Sequence, residues 1–246
     1  MPEIQHLDKA PITEALVDIR VPTQIEFDVS KLEAVHKDVA NSYPVKEERL
    51  QQEIVFELSE SAFKQKSKKH KAGYFFKTQA NNRVAQFRVD GFTYSWLKPY
   101  ESWEALRDEA KRLWNIYSGV RQPSAINRIA VRYINRIEIP LPVQDFRDYL
   151  SAAPEVPSRL PQGVSSFLLR VVVPDPKTGA IAIITQALEA LVDPAIAPII
   201  LDIDVFNERA FEPDGAEVWE AIESLRNFKN QIFFESVTDK ALEMFK

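Results

Sequence analysis

The chain runs through one order of elements twice, and this internal repeat restricts its fold more than any motif does. In the first half, Ala15, Val17, Ile19 and Val21 alternate with Glu14, Leu16, Asp18 and Arg20, the two-residue period of a strand over Ile12 to Val21 with one mostly polar face. Leu32, Val35 and Val39 then fall at helical spacing within Val29 to Tyr43, with Asp28 or Ser30 as N-cap and Pro44 beyond the end. Glu53 to Leu58, Gly73 to Thr78, Arg83 to Val89 and Phe92 to Leu97 are short, aromatic or β-branched runs and predict four more strands, the last two a hairpin turning at Asp90-Gly91. Tyr100 to Tyr117 places Trp103, Leu106, Ala110, Leu113, Trp114 and Tyr117 on one helical stripe stopped by Gly119.

The second half repeats the order. Ile126 to Ile139 predicts a long strand ending at Pro140, Val143 to Leu150 a short helix, and Val164 to Val173, Ala180 to Leu188 and Ile199 to Phe206 further strands. Ala216 to Phe234 is helical and carries Trp219-Glu220-Ala221, as the first half carries Trp103-Glu104-Ala105. Residues 1–119 and 124–246 are thus expected to be half-repeats of one pseudo-symmetric domain, joined near Gly119 to Ser124. Such a unit used twice makes an α+β fold, one curved antiparallel sheet with helices on one face and the other face open; an ordinary α+β sandwich, in which the Trp-Glu-Ala match is chance, is the alternative that stays open. The element order resembles the TATA-binding-protein type of duplicated saddle, although no sequence motif of that protein is present.

Little reactive chemistry is available. With no cysteine, thiolate zinc sites, iron–sulfur clusters, disulfides and cysteine nucleophiles are excluded. The six glycines stand singly, so no phosphate-cradling loop exists, and no Gly-x-Ser-x-Gly elbow occurs. His6, His36 and His70 have no metal-ligand spacing. Asp202 and Asp204 share a strand face at i and i+2 and are weak candidates for a divalent metal in phosphoryl transfer, but the upstream Gly-Ser turn of nucleotidyltransferases is missing.

The candidate binding residues lie on polar strand faces. Arg128, Arg132 and Arg136 share one face of the long strand, and Arg20 and Arg88 belong to polar faces of others. Together with Glu14, Asp18, Glu138, Asp202 and Asp204 they make a face of mixed sign. Two readings stay open: a ladder of ion pairs holding the sheet in register, or a floor on which arginines grip a partner's phosphate or carboxylate groups. The basic run Lys64 to Lys71, with Lys68 and Lys69 at its centre, is expected to be an exposed loop. Leu242 and Phe245 suggest a C-terminal helix that docks on the protein or on a second copy, which leaves a homodimer open.

Three stretches carry a family resemblance: Pro11-Ile12-Thr13-Glu14-Ala15 with Ile19-Arg20, Tyr100-Glu101-Ser102-Trp103-Glu104, and Asn127-Arg128-Ile129 with Arg132-Tyr133-Ile134-Asn135. With Ile200-Leu201-Asp202-Ile203-Asp204 they resemble a sporadically distributed prokaryotic family of about 250-residue proteins of unknown function. The resemblance spans the chain and implies an identity without a mechanism. A patchy distribution implies accessory genes of the toxin–antitoxin or defence type.

The balance of 31 basic against 36 acidic residues, a formal charge of −5, disfavours a generic nucleic-acid coat. No apolar run approaches the ~18 residues of a membrane helix, and Met1 to Lys9 lacks the apolar core of a signal peptide, so a cytoplasmic location without membrane contact is expected. The expected function is a non-enzymatic binding protein without cofactor, engaging a protein partner encoded nearby and neutralising it. A nucleic-acid-binding protein using the open sheet face is the first alternative, and a metal-dependent phosphoryl-transfer enzyme at Asp202 and Asp204 the second.

Overall fold

The computed structural model describes residues 7–24, 26–59 and 62–246, with 53–59 and 62–66 described through their backbone. Nine strands form a single antiparallel sheet: β1 (Ile12–Arg20), β2 (Val45–Ser59), β3 (Ala62–Lys77), β4 (Arg83–Arg88), β5 (Gly91–Leu97), β6 (Arg128–Pro140), β7 (Leu168–Asp175), β8 (Ala180–Leu188) and β9 (Ile196–Asn207). Their order across the sheet is β2-β3-β4-β5-β1-β6-β9-β8-β7. The centre is the antiparallel pair of β1 and β6, in which Val17 faces Val131 and Ile19 faces Ile129. From it the strands run outward in reverse chain order on each side: β2 to β5 and β7 to β9 follow one another as adjacent antiparallel strands, and the long returns are β1 to β2 and β6 to β7.

Two long helices cover one side of the sheet. α3 (Trp103–Arg121) packs on β5 and β1, and α4 (Ala216–Ser236) on β6 and β9. The stripe expected of α3 is wholly buried, Trp103, Leu106, Ala110, Leu113, Trp114 and Tyr117 all facing the sheet. Ser102 caps this helix, its hydroxyl accepting from the Ala105 N–H at 3.2 Å. Alternation along the central strands follows from this one-sided cover: Ala15, Val17 and Ile19 meet the helices and are buried, while Leu16, Ile134, Ile200 and Phe206 on the other side are half-exposed.

Several sequence expectations are corrected. The span Val29 to Tyr43 is two helical turns, α1 (Ser30–Ala34) and α2 (His36–Val39), rather than one helix. Three of its apolar residues are valines, which disfavour helix, and one short stripe gives too little packing to hold a continuous one. Val143 to Leu150 contains a single 3₁₀ turn, Phe146–Asp148. Gly119 lies inside α3, which ends instead at Gln122 in the left-handed conformation, φ 44°. The C-terminal stretch forms α5 (Asp239–Glu243), capped by Thr238, and docks on its own chain with Phe245 buried against Phe233.

The largest correction concerns Lys68 and Lys69. They sit within β3, paired with Glu53 and Gln52 of β2, and not in a loop. Opposite charges across the ribbon supply what the sequence pattern lacks: Lys71 pairs with Glu48 and Lys77 with Glu47, each at 2.5 Å. A bulge at Ala72 and Gly73 shifts the register, and beyond it β2 and β3 continue as a two-stranded ribbon, because β4 pairs only with residues 73–77. Gly73 holds φ at +151°, and a Cβ there would lie 2.1 Å from the Phe87 carbonyl oxygen. Gly73→Ala is expected to lower stability by about 1–3 kcal/mol, read as a fall in urea midpoint; an unchanged midpoint contradicts the close approach.

Candidate functional site

The polar side of the sheet is built around one carboxylate. Asp18, on β1 and 5% exposed, accepts hydrogen bonds from Arg20 Nε at 2.8 Å, Arg88 Nη2 at 2.9 Å, Arg128 Nη1 at 3.2 Å and the Thr93 hydroxyl at 2.5 Å. These partners come from β1, β4, β6 and β5, so four strands meet at one side chain. Burial alone would raise the Asp18 carboxyl; Arg88, Arg20 and the Thr93 hydroxyl overcome it and hold the group below its ordinary value.

All five candidate arginines lie on this side and each already has a carboxylate. Arg88 is 2% exposed and bonds Asp18, Thr93 and Asp90, so it is part of the sheet's interior rather than an exposed grip. Arg20 spans Asp18 and Asp90, and Arg128 spans Asp18 and Asp204 while stacking 4.5 Å from the Phe206 ring. Arg132 takes Asp202 bidentately at 2.8 and 2.5 Å, and Arg136 meets Glu138 and Glu189. The two candidate metal carboxylates are therefore arginine partners. Burial raises the Asp204 carboxyl above its ordinary value despite Arg128 and Arg132. Among the described residues no group of three His, Asp or Glu side chains is placed to hold a metal. His36 stacks on Phe76 with its Nε2 3.1 Å from the Tyr43 carbonyl oxygen, His70 is exposed on β3, and His6 lies outside the described residues.

The open side also carries apolar surface. The flank of the sheet extends past the helices, and on β7 Leu168 is 73% and Val172 49% exposed on the open face, with Val171 and Val173 exposed on the opposite one. Exposed apolar side chains gathered on one unpaired edge strand are the usual mark of a contact surface.

A second feature lies on the helix side, where the sequence reading placed nothing. A cleft of about 650 Å³ opens between the start of α3, the C-terminal half of α4, β6 and the segment 7–11. That segment is tied down by Lys9 N–H to the Phe245 carbonyl at 2.9 Å and by Arg136 N–H to the Pro11 carbonyl at 2.8 Å. At the cleft's inner wall stands Lys229, 7% exposed on the buried stripe of α4 that also holds Leu225 and Ile232. Its Nζ sits 3.6 Å from the centroid of the Tyr133 ring and makes neither a hydrogen bond nor an ion pair with any described residue. Burial first, and Arg226 one turn earlier second, push its amine down to about 7. The Tyr133 and Tyr100 hydroxyls bond one another at 2.8 Å, and burial raises both, Tyr100 to about 12. The signal was present in the sequence as a lysine at the core spacing of an apolar stripe, four residues after Leu225 and three before Ile232.

Two outcomes test these assignments. Asp18→Asn leaves the buried Arg88 with only the partly exposed Asp90 as counter-charge and is expected to cost about 3 kcal/mol at neutral pH. Because the folded-state value is depressed, the wild-type advantage is present above the ordinary carboxylate range and shrinks as pH falls through the folded value. Urea unfolding of both proteins at pH 7 and pH 3 checks this, and a gap that does not narrow contradicts it. For Lys229 the unfolded chain, titrating near 10.5, binds more protons than the folded one above 7. Stability therefore rises from pH 7 to 9 with a slope approaching ~1.4 kcal/mol per pH unit, a rise that Lys229→Met removes. Equal slopes in the two proteins contradict the assignment.

Comparison with models of protein families, with curated proteins and with solved structures finds no match to this chain.

Proposed function

We propose that this chain is a non-enzymatic binding protein whose open sheet face receives a protein partner, and that its fold is a duplicated, saddle-like unit. The duplication is supported by topology: β1 and β6 lie side by side at the centre, each followed outward by the later strands of its own half in reverse order, with a long helix closing each half. Trp103-Glu104-Ala105 open the first of those helices, and Trp219-Glu220-Ala221 lie three residues into the second, across its first and second turns.

The observation that carries the binding reading is the composition of the uncovered face. Its centre is charged but balanced, with Arg20, Arg88, Arg128, Arg132 and Arg136 matched by carboxylates, and its β7 flank is apolar and exposed. Paired arginines offer little unopposed positive charge to a duplex, whose affinity comes mainly from counterion release. A protein surface with its own apolar contacts and charge pairs suits this face better. In the accessory-gene setting that the resemblance implies, the partner is a neighbouring gene product that this chain neutralises.

Nucleic acid remains a second reading because of one feature: Lys68, Lys69 and His70 are exposed on the β2–β3 ribbon, beyond the reach of β4. A ribbon of two strands is of a width that a major groove admits.

The test is capture from host lysate by the wild-type chain and by Leu168→Lys/Val172→Lys, with equal thermal stability confirming that both fold. One stoichiometric protein retained by the wild type and lost by the double variant is expected. Equal retention by both, or no retained protein at all, contradicts the proposal. Nuclease-sensitive material that disappears at high salt and depends on Lys68 and Lys69 transfers the function to the ribbon.

A further inference from the structure

The cleft beside α4 combines features that the open face does not need. A lysine amine stands buried at its wall over an aromatic ring, and no carboxylate or hydrogen-bond acceptor among the described residues meets it. Burying an unpaired amine is costly, and Lys229 could have been any apolar residue of the stripe it occupies. The other cation on this side of α4, Arg226, is one turn away, the spacing that brings two side chains together on a helix surface. Its hydrogen bond to Asn227 at 3.2 Å and its long contact with Glu223 at 3.8 Å both use Nη1. Oε2 of Glu223 is taken at 2.6 Å by the Trp103 indole N–H. Among the described residues the guanidinium's Nε and Nη2 make no hydrogen bond, which leaves them for a ligand.

We propose that this cleft binds a small oxo acid, with Arg226 holding its carboxylate and Lys229 taking its carbonyl carbon as a reversible imine. A lysine becomes a nucleophile at neutral pH when it is desolvated or placed beside another cation, and Lys229 is both. The Nζ lone pair attacks the carbonyl carbon and the C=O electron pair moves onto oxygen, which receives the proton that nitrogen loses. The resulting carbinolamine expels water as the C=N bond forms, and hydrolysis returns the free amine and the oxo acid. No oxidant or reductant is consumed. Tyr100, Trp103, Tyr133, Phe233 and Pro11 supply apolar walls for the carbon skeleton, and 650 Å³ lies within the range of small-molecule sites. The remaining charged groups of the cleft, Asp8, Lys9, Lys98, Glu101 and Glu104, make no ion pair with Lys229, and both tyrosine hydroxyls stay protonated at neutral pH.

The experiment treats the intact chain with pyruvate and sodium cyanoborohydride at pH 7 and maps the reduced adduct by peptide mass. Acetone serves as the carbonyl probe that lacks a carboxylate. At pH 7 an amine titrating near 7 has a neutral fraction roughly a thousandfold above that of an ordinary exposed lysine, so one adduct at Lys229 is expected, ahead of Lys68, Lys69 and the other exposed lysines. Its rate should rise through pH 7, and Lys229→Met should abolish it. Pyruvate should label Lys229 at least about tenfold faster than acetone, the effect of one charge-assisted contact of ~1.4 kcal/mol or more. Arg226→Gln should lower that ratio about tenfold while leaving the acetone rate unchanged. Labelling spread over exposed lysines with Lys229 unmodified in the wild type overturns the proposal without recourse to any variant, as does pyruvate binding with no reducible adduct. A pyruvate-to-acetone ratio that survives Arg226→Gln overturns the role of Arg226.

Discussion

The carboxylate of Asp18 is the point on which the sheet depends. A buried anion is tolerable only when its charge and lone pairs are met, and Asp18 is met by three guanidinium groups and one hydroxyl drawn from β1, β4, β5 and β6. That requirement fixes which residues of neighbouring strands stand side by side. A slip of one residue in β1 would turn Asp18 toward the helices and Val17 toward water, so the polar side and the apolar side specify the register together. The outer strands are then built from the centre outward by hairpins, and the helices need only cover the apolar side that remains.

Much of this was legible in the residues. The alternation of β1 and β6 placed Asp18, Arg20, Arg128, Arg132 and Arg136 on one polar side, and the α3 stripe from Trp103 to Tyr117 gave the buried face of that helix residue for residue. What alternation could not show was depth. Arg88 looks like any arginine on a polar strand face, but it lies at the meeting point of β4, β5 and β1 and is buried. Burial of a strand's polar side depends on neighbours that only topology supplies. The strand holding Lys68 and Lys69 was illegible for a related reason: its charge partners, Glu48 for Lys71 and Glu47 for Lys77, belong to another strand, and cross-strand charge pairing leaves no period in either sequence alone. Lys229 was the opposite case, a local exception on an apolar stripe that could have been read from spacing.

The two sides of the sheet treat charge differently, and the functional account follows from the difference. On the open side every candidate arginine has a carboxylate, so the face presents balanced pairs and an apolar flank at β7, a surface for another protein. Exposed pairs of this kind add only about 0.2–1 kcal/mol each to stability, and their larger effect is to fix the shape and sign pattern that a partner meets. On the helix side Lys229 and Arg226 of α4 face a cleft in which no described carboxylate pairs with the Lys229 amine. The first arrangement is complete within the chain; the second is completed by a ligand.

One carbon-detected NMR titration of the intact chain reads both. The account predicts that the Asp18 carboxyl carbon titrates below 3.8 and the Lys229 ε-carbon near 7. Midpoints at the ordinary values of 3.8 and 10.5 would contradict it, since Asp18 would then not be the buried hub and Lys229 would not be a neutral amine.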